Sequence, residues 1–116
     1  MKREADRWDE WVSCAISQTE VMRAARQAAA AAETEGDATE MLRRAEALLR
    51  RIPMIDADLP LLSQAAAVDP VSMRSLDAIH VAAALSLGQD LGALFTYDRR
   101  LADAAREHNL SVLSPA

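Results

Sequence analysis

Short apolar runs alternate with longer helical patterns along this 116-residue chain, and that alternation most limits the folds open to it. The runs predict strands at 12–16, 54–56, 93–96 and 111–113. Strands that alternate with helices are typical of βαβ units, in which each helix returns the chain so that the strands lie parallel. The length suits one domain, so we predict a single α/β domain over 1–116 with a parallel sheet.

Apolar periodicity and capping residues mark the helices between these strands. The predicted helical segments are 4–11, 17–32, 37–52, 59–68, 75–88 and 99–108. Ser17 and Glu20 have the S-x-x-E spacing of a capping box, and Asp98 stands where the last helix needs an N-cap. The segment that begins at Ser75 is apolar almost throughout, so we expect that helix to be buried on more than one side.

Cysteine content, hydropathy and charge exclude several classes of protein. Cys14 is the single cysteine, which rules out an intramolecular disulfide and a cysteine-based zinc site and suits a reducing cytosol. No stretch approaches ~20 apolar residues free of charge, so we expect a cytoplasmic protein without a membrane span. The net charge of −5 counts against broad binding of a polyanion, but it allows a small site where a metal neutralises carboxylates.

Three acidic residues are predicted to meet at one edge of the sheet. Helix N-termini lie at the carboxyl edge of the strands in a βαβ fold. Glu20 and Asp77 each fall in the first turn of a predicted helix, and Asp98 follows strand 93–96 directly. Although these residues are far apart in sequence, their carboxylates are expected at the same edge.

Carboxylates that lie close together repel one another and raise each other's pKa unless a cation joins them. Oxygen ligands without cysteine suit Mg²⁺ or Mn²⁺ better than zinc. A metal held in this way activates water and stabilises the charge that develops on a phosphate. The chemistry implied is hydrolysis of a phosphodiester.

Each of these residues also has a purely structural explanation. Glu20 completes a capping box, Asp77 gains ~0.3–1 kcal/mol from the helix dipole, and Asp98 is an ordinary N-cap worth ~1 kcal/mol. His80, three residues after Asp77 in an apolar helix, fits a hydrogen-bonded core histidine. Arg74 fits a contact to Asp77 or to a phosphate, but a surface ion pair is the commoner case.

Three separated segments resemble the PIN-domain ribonucleases, in particular the VapC-type toxins of toxin–antitoxin pairs. The segments are ISQTEVMRAAR (16–26), RSLDAIHVAAAL (74–85) and LFTYDRRLADAAREHNLSVLSP (94–115). The resemblance covers nearly the whole chain in order. It implies a PIN-like α/β/α sandwich and a Mg²⁺- or Mn²⁺-dependent endoribonuclease that cleaves RNA. It also implies a homodimer and inhibition by a cognate antitoxin, with the helix pair 17–51 as the region where such toxins meet their partners.

The resemblance also assigns roles to individual positions. Glu20, Asp77 and Asp98 match the metal-binding, catalytic acids of that family. The supporting positions are Thr96 beside the site, Arg74 and His80 in the framework of the Asp motif, and, as a weaker candidate, Asp103, whose place also suits a solvated helix face.

One family feature has no counterpart in this sequence. The family begins with a central strand that carries an Asp, whereas Met1 here leads into the segment that normally follows that strand. Asp6 and Asp9 lie on a charged predicted helix and cannot be matched to the missing acid. We therefore expect a domain that is incomplete at its N-terminus. Without the central strand, the first two strands lose their hydrogen-bonding link to the last two, which leaves two exposed inner edges.

Two further functions stay open beside the metal-dependent endoribonuclease. The first is a catalytically inactive PIN remnant that still binds an antitoxin through helices 17–51, which the missing first acid favours. The second is an alanine-rich helical scaffold with no site, for which added metal leaves the melting temperature unchanged.

Overall fold

Six strands and five helices make up the part of the protein that the computed structural model describes, residues 2–3, 10–96 and 98–113. The strands are β1 (Lys2–Arg3), β2 (Glu10–Trp11), β3 (Ser13–Cys14), β4 (Met54–Ile55), β5 (Leu91–Phe95) and β6 (Val112–Leu113). The helices are α1 (Ile16–Ala30), α2 (Glu35–Arg51), α3 (Leu59–Ala66), α4 (Ser75–Ser86) and α5 (Arg99–Glu107), and a short 3₁₀ turn spans Gly88–Asp90. The order of elements confirms the predicted α/β class.

The strands form two separate sheets. β3 pairs parallel with β4, Ser13 opposite Met54, and β5 pairs parallel with β6, Leu94 opposite Val112. β5 and β6 belong to a four-stranded sheet in the order β2-β1-β5-β6, whereas β3 and β4 form a sheet of their own. The predicted parallel pairing is therefore confirmed. The two pairs are not joined into one sheet in the described part of the chain, as we expected from the sequence.

The inner edge of β5 is covered by the start of the chain. β1 runs antiparallel to β5, with Lys2 opposite Ala93 and Arg3 opposite Leu91, and β2 adds to the other side of β1. The prediction of an exposed edge was wrong at β5. An unpaired edge offers a row of N–H and C=O groups to any extended segment, and the first residues take that place.

The predicted helix over 4–11 was wrong at its end, where Glu10–Trp11 is strand β2. The rest of that prediction, 4–9, lies outside the described residues. Pairing with β1 satisfies the backbone groups of this segment, and tryptophan suits a strand. Val12 alone separates β2 from β3, so the chain passes from one sheet to the other at this buried residue.

Two helix starts differ from the sequence prediction. α1 begins at Ile16 after Ala15, whose side chain has no acceptor to cap the helix, and the Ser17 hydroxyl is hydrogen-bonded to the Ser13 hydroxyl at 2.7 Å. The prediction of a capping box at Ser17 was therefore wrong. α2 begins at Glu35, where the hydroxyl of Thr34 accepts the Asp37 N–H at 3.0 Å and places the cap three residues earlier than expected.

The helices α1 and α2 are connected by a short turn and pack against each other, and neither contributes a fully buried residue. Their polar and alanine-rich surfaces therefore lie largely in solvent. Within the described ranges, no helix is long and apolar enough to cross a membrane.

Helix α4 separates two small hydrophobic cores. Ala78, Ala82 and Ala83 pack with Cys14 and residues of α3 in the first core. Ala84 packs with Leu94 and Ala105 in the second core. The prediction that α4 is buried on more than one side is confirmed, since Val81 to Ala84 are all buried.

Candidate active site

Glu20, Asp77 and Asp98 line one open cleft of about 570 Å³ at the N-termini of α4 and α5. Glu20 lies in α1, Asp77 in the first turn of α4, and Asp98 just before α5. The side chains that complete its wall are Arg74, Leu76, Arg99, Arg100 and Asp103. The fold therefore brings the three acids to the same depression, as predicted. The predicted first-turn position of Glu20 was wrong, because α1 begins at Ile16 and has no acidic residue in its first turn.

Asp77 is the one buried charged side chain in the described chain, with 7% of its surface exposed. Burial raises the pKa of this carboxyl above its usual value, and the negative charges of Asp98 and Glu20 raise it further. The positive charges of Arg74 and His80 act in the opposite direction without cancelling the rise. The three acids are thus close enough for their charges to interact, which is the condition under which a cation stabilises the ionised forms.

Asp98 has a structural task besides its place in the cleft. Its Oδ1 accepts the backbone N–H groups of Arg100 at 2.9 Å and Leu101 at 3.4 Å, so it caps α5 as predicted. The hydroxyl of Thr96 accepts the N–H of Asp98 at 3.0 Å. Thr96 therefore fixes the turn that presents Asp98 and is absent from the residues that line the cleft.

Glu20 contacts a histidine instead of the N-terminus of its own helix. Its Oε1 lies 2.6 Å from Nε2 of His80, which belongs to α4. The capping-box explanation for Glu20 is therefore wrong. The contact ties α1 to the helix that carries Asp77, and it holds Glu20 at the cleft.

The donor chemistry of these residues suits a hard cation, since all three offer carboxylate oxygens. In the ranges that the structure describes, however, no three His, Cys, Asp or Glu side chains converge closely enough to hold one metal ion. Asp6 and Asp9 lie outside those ranges. The strand beside β5 consists of Lys2 and Arg3, so the residue types there supply no carboxylate.

Arginines flank the acids, although the whole chain carries a net charge of −5. Arg74, Arg99 and Arg100 are exposed and line the cleft. Asp103 also lines it and forms an exposed ion pair of 3.6 Å with Arg106 one turn further along α5. The local balance of charge is therefore suited to a phosphate beside a cation, in spite of the acidic total.

Sequence reasoning missed Leu76, Arg99 and Arg100 as cleft residues. A signal was available for Arg100, because it follows Asp98 by two residues in the first turn of a helix whose N-terminus was placed at the site. A second cavity of about 440 Å³ adjoins the cleft and shares Arg74, Asp77, Arg100 and Asp103 with it. The groove around Asp77 thus continues beyond the three acids.

Comparison with known proteins places this arrangement in a family. The sequence profile of the PIN domain matches residues 2–107. Ribonuclease VapC46 of Mycobacterium tuberculosis (strain ATCC 25618 / H37Rv) is 39% identical over 105 residues, which cover 90% of this chain and 74% of the relative. Ribonuclease VapC35 of Mycobacterium tuberculosis (strain CDC 1551 / Oshkosh) is 37% identical over 107 residues, which cover 90% of this chain and 73% of the relative. No solved structure matches at a comparable level of significance.

The profile match contains the segments 16–26 and 74–85 and residues 94–107 of the third segment, on which the resemblance was based. The profile includes α1, α4 and α5, the helices that carry or follow the three acids. The chain therefore belongs to the PIN-domain family, in its VapC-type branch.

Proposed function

We propose that this protein is a divalent-metal-dependent endoribonuclease and the toxin of a toxin–antitoxin pair. The observation that carries the proposal is the shared cleft, in which acids from three elements distant in sequence lie among arginines. The relatives named ribonuclease support a nuclease, and the carboxylate donors support Mg²⁺ or Mn²⁺ as the cofactor. Glu20, Asp77 and Asp98 are the residues that would hold the cation.

The cation would supply an activated water and would neutralise the charge of the scissile phosphate. The protein's own residues prepare the site for both tasks. Asp77, Asp98 and Glu20 provide the negative charge that binds the cation. Arg74 and Arg100 line both the cleft and the adjoining cavity, and we expect them to bind backbone phosphates of the RNA. Asp103 is a weaker candidate ligand, because its exposed carboxylate already pairs with Arg106.

The proposed partners follow from the same family. A cognate antitoxin would bind the surface of α1 and α2, where neither helix contributes a fully buried residue. We also propose a homodimer, a cytoplasmic location and a single domain over 1–116.

Metal dependence is the direct test of the activity. We expect Mn²⁺ or Mg²⁺ to support cleavage of a structured RNA, EDTA to stop it, and excess Mn²⁺ to restore it. The control is the Asp98→Asn protein purified in the same way, because a contaminating nuclease would be present in both preparations. Cleavage that continues in EDTA, or that is equal in the two proteins, would contradict the proposal.

Replacing Arg100 with alanine is expected to weaken RNA binding and to reduce its salt dependence. One phosphate contact to a single strand contributes about 0.7 to the slope of log K against log salt concentration. The affinity is measured with a fluorescent RNA at several salt concentrations. Arg106→Ala is the matched control on the same helix, because Arg106 pairs with Asp103 and does not line the cleft. Equal slopes for wild type and Arg100→Ala would remove Arg100 from the RNA-binding surface.

A catalytically inactive module that binds an antitoxin is the second candidate function. It is favoured by the absence of three converging acids within the described ranges and by the residue types in β1. Such a protein would capture a small partner protein and would leave RNA intact at every concentration of Mn²⁺. Metal-dependent cleavage that Asp98→Asn abolishes would exclude it.

A further inference from the structure

The contact between Glu20 and His80 joins two helices that are 60 residues apart in sequence. The Nε2–Oε1 distance of 2.6 Å is that of a hydrogen bond, and a hydrogen bond to an ionised carboxylate is charge-assisted. The His80 side chain is 14% exposed and the Glu20 side chain is 43% exposed. The imidazole is therefore held largely within the protein, whereas the carboxylate that it contacts is free to face the cleft.

The chemistry of the two groups fixes the direction of the bond. An ionised carboxylate only accepts hydrogen bonds, so the proton between the two groups belongs to Nε2 of His80. The bond occupies Oε1 of Glu20, and within the described residues Oε2 makes no hydrogen bond. One oxygen is thus anchored and the other is available to a ligand.

The position of His80 in α4 relates this anchor to the acid beside it. His80 follows Asp77 by three residues, so the two side chains share one face of the helix. Asp77 is fixed by burial, whereas Glu20 is a longer and more exposed side chain with several rotamers. Without the histidine, Glu20 would lose the one hydrogen bond that the structure gives its side chain.

We propose that His80 is a positioning residue, whose Nε2–H holds Oε1 of Glu20 so that the carboxylate is preorganised for the divalent cation beside Asp77. The inference rests on the proposed function, since it assigns the histidine a task in the same site. Hydrogen-bonding partners of this kind orient metal-binding carboxylates, and their loss typically costs ~10–100-fold in metal affinity.

The test measures the affinity of the purified protein for Mn²⁺, without RNA, in wild type, His80→Leu and His80→Gln. We expect His80→Leu to weaken Mn²⁺ binding by about 10-fold or more. His80→Gln is expected to recover most of the affinity, because its amide N–H replaces the Nε2 donor. His108→Leu is the matched control, since His108 is the other histidine of the chain and hydrogen-bonds the carbonyl oxygen of Asp69, outside the residues that line the cleft.

A second pair of variants separates positioning from a general loss of structure. In a Glu20→Ala background, adding His80→Leu is expected to leave the affinity for Mn²⁺ unchanged, because His80 acts only through Glu20. Circular dichroism establishes that each variant is folded. In a folded His80→Leu protein, wild-type affinity would overturn the inference and leave the proposed function intact. A further loss of affinity in the Glu20→Ala background would also overturn it. If the wild-type protein binds no Mn²⁺, the proposed function fails and this role of His80 fails with it.

Discussion

Replacing Asp77 with asparagine is expected to lower metal-dependent RNA cleavage by about 100-fold or more and to stabilise the protein in EDTA. The two effects have one cause. Asp77 is buried beside Asp98 and Glu20, which raises its pKa and makes its ionised form unfavourable in the folded protein. Asparagine keeps the size of the side chain and removes the charge, so the folded state gains stability while the site loses a ligand.

The stabilisation should depend on pH in a defined direction. A carboxyl whose folded pKa is raised binds more protons in the folded than in the unfolded state, so stability falls as pH rises above the usual value of 3.8 and through the folded pKa. The difference in melting temperature between Asp77→Asn and wild type should be small near pH 3.8 and largest above the folded pKa of Asp77. Each kcal/mol in the free energy of unfolding corresponds to about 4 °C in melting temperature.

Thermal unfolding in EDTA at several pH values gives this difference directly. Asp103→Asn is the control, because Asp103 lines the same cleft but is exposed. Excess Mn²⁺ should raise the melting temperature of wild type and leave that of Asp77→Asn nearly unchanged, since only wild type keeps the ligand. A lower melting temperature for Asp77→Asn in EDTA at neutral pH would contradict the electrostatic account of this residue.

Asp98→Asn is expected to lower cleavage by about 100-fold or more without loss of stability. The N–H groups of Arg100 and Leu101 need only an acceptor oxygen, which asparagine supplies as a good N-cap. Asp98→Ala removes the charge and the cap together, so it should lose the activity and in addition about 1 kcal/mol of stability.

Comparison of Asp98→Asn with Asp98→Ala separates the role of Asp98 as a metal ligand from its role as a helix cap. Urea unfolding reports the stability of each protein, and cleavage of the same RNA in Mn²⁺ reports its activity. Asp58 is a cap at the start of α3, where its Oδ1 accepts the Leu61 N–H, and it does not line the cleft. Asp58→Ala should therefore lose stability and keep its activity. If Asp98→Asn is as active as wild type, Asp98 only caps α5 and is not a ligand in the proposed metal site.

The sequence was sufficient to locate the acids at one site because their positions depend on topology. A helix N-terminus in a βαβ unit lies at the carboxyl edge of the strands wherever the helix falls in the chain. Asp77 and Asp98 satisfy this rule, so a coarse assignment of strands and helices predicted their common cleft. The contact between Glu20 and His80 depends on side-chain directions in two helices, which periodicity does not give.

Local signals failed where tertiary pairing competed with them. The S-x-x-E spacing predicted a capping box, but the Ser17 hydroxyl is hydrogen-bonded to Ser13 and the Glu20 carboxylate to His80. Trp11 fell in a helical pattern, yet its backbone pairs with β1. The pairing of β1 with β5 lay beyond sequence reasoning as well, because the two strands are joined by no turn or helix that fixes their register.

The alanines of α4 connect the packing of the protein with the geometry of the cleft. β3, which leads into α1 and Glu20, contacts one part of this helix, and β5, which leads to Asp98, contacts another. Ala83 and Ala84 are fully buried, one in each hydrophobic core. Their small volume sets how closely the two strand pairs approach α4, and thereby the separation of Glu20 and Asp98. A larger side chain at Ala83 or Ala84, neither of which lines the cleft, would move the acids apart. The affinity for a cation is therefore also a property of core volume, open to change by substitutions that leave every ligand in place.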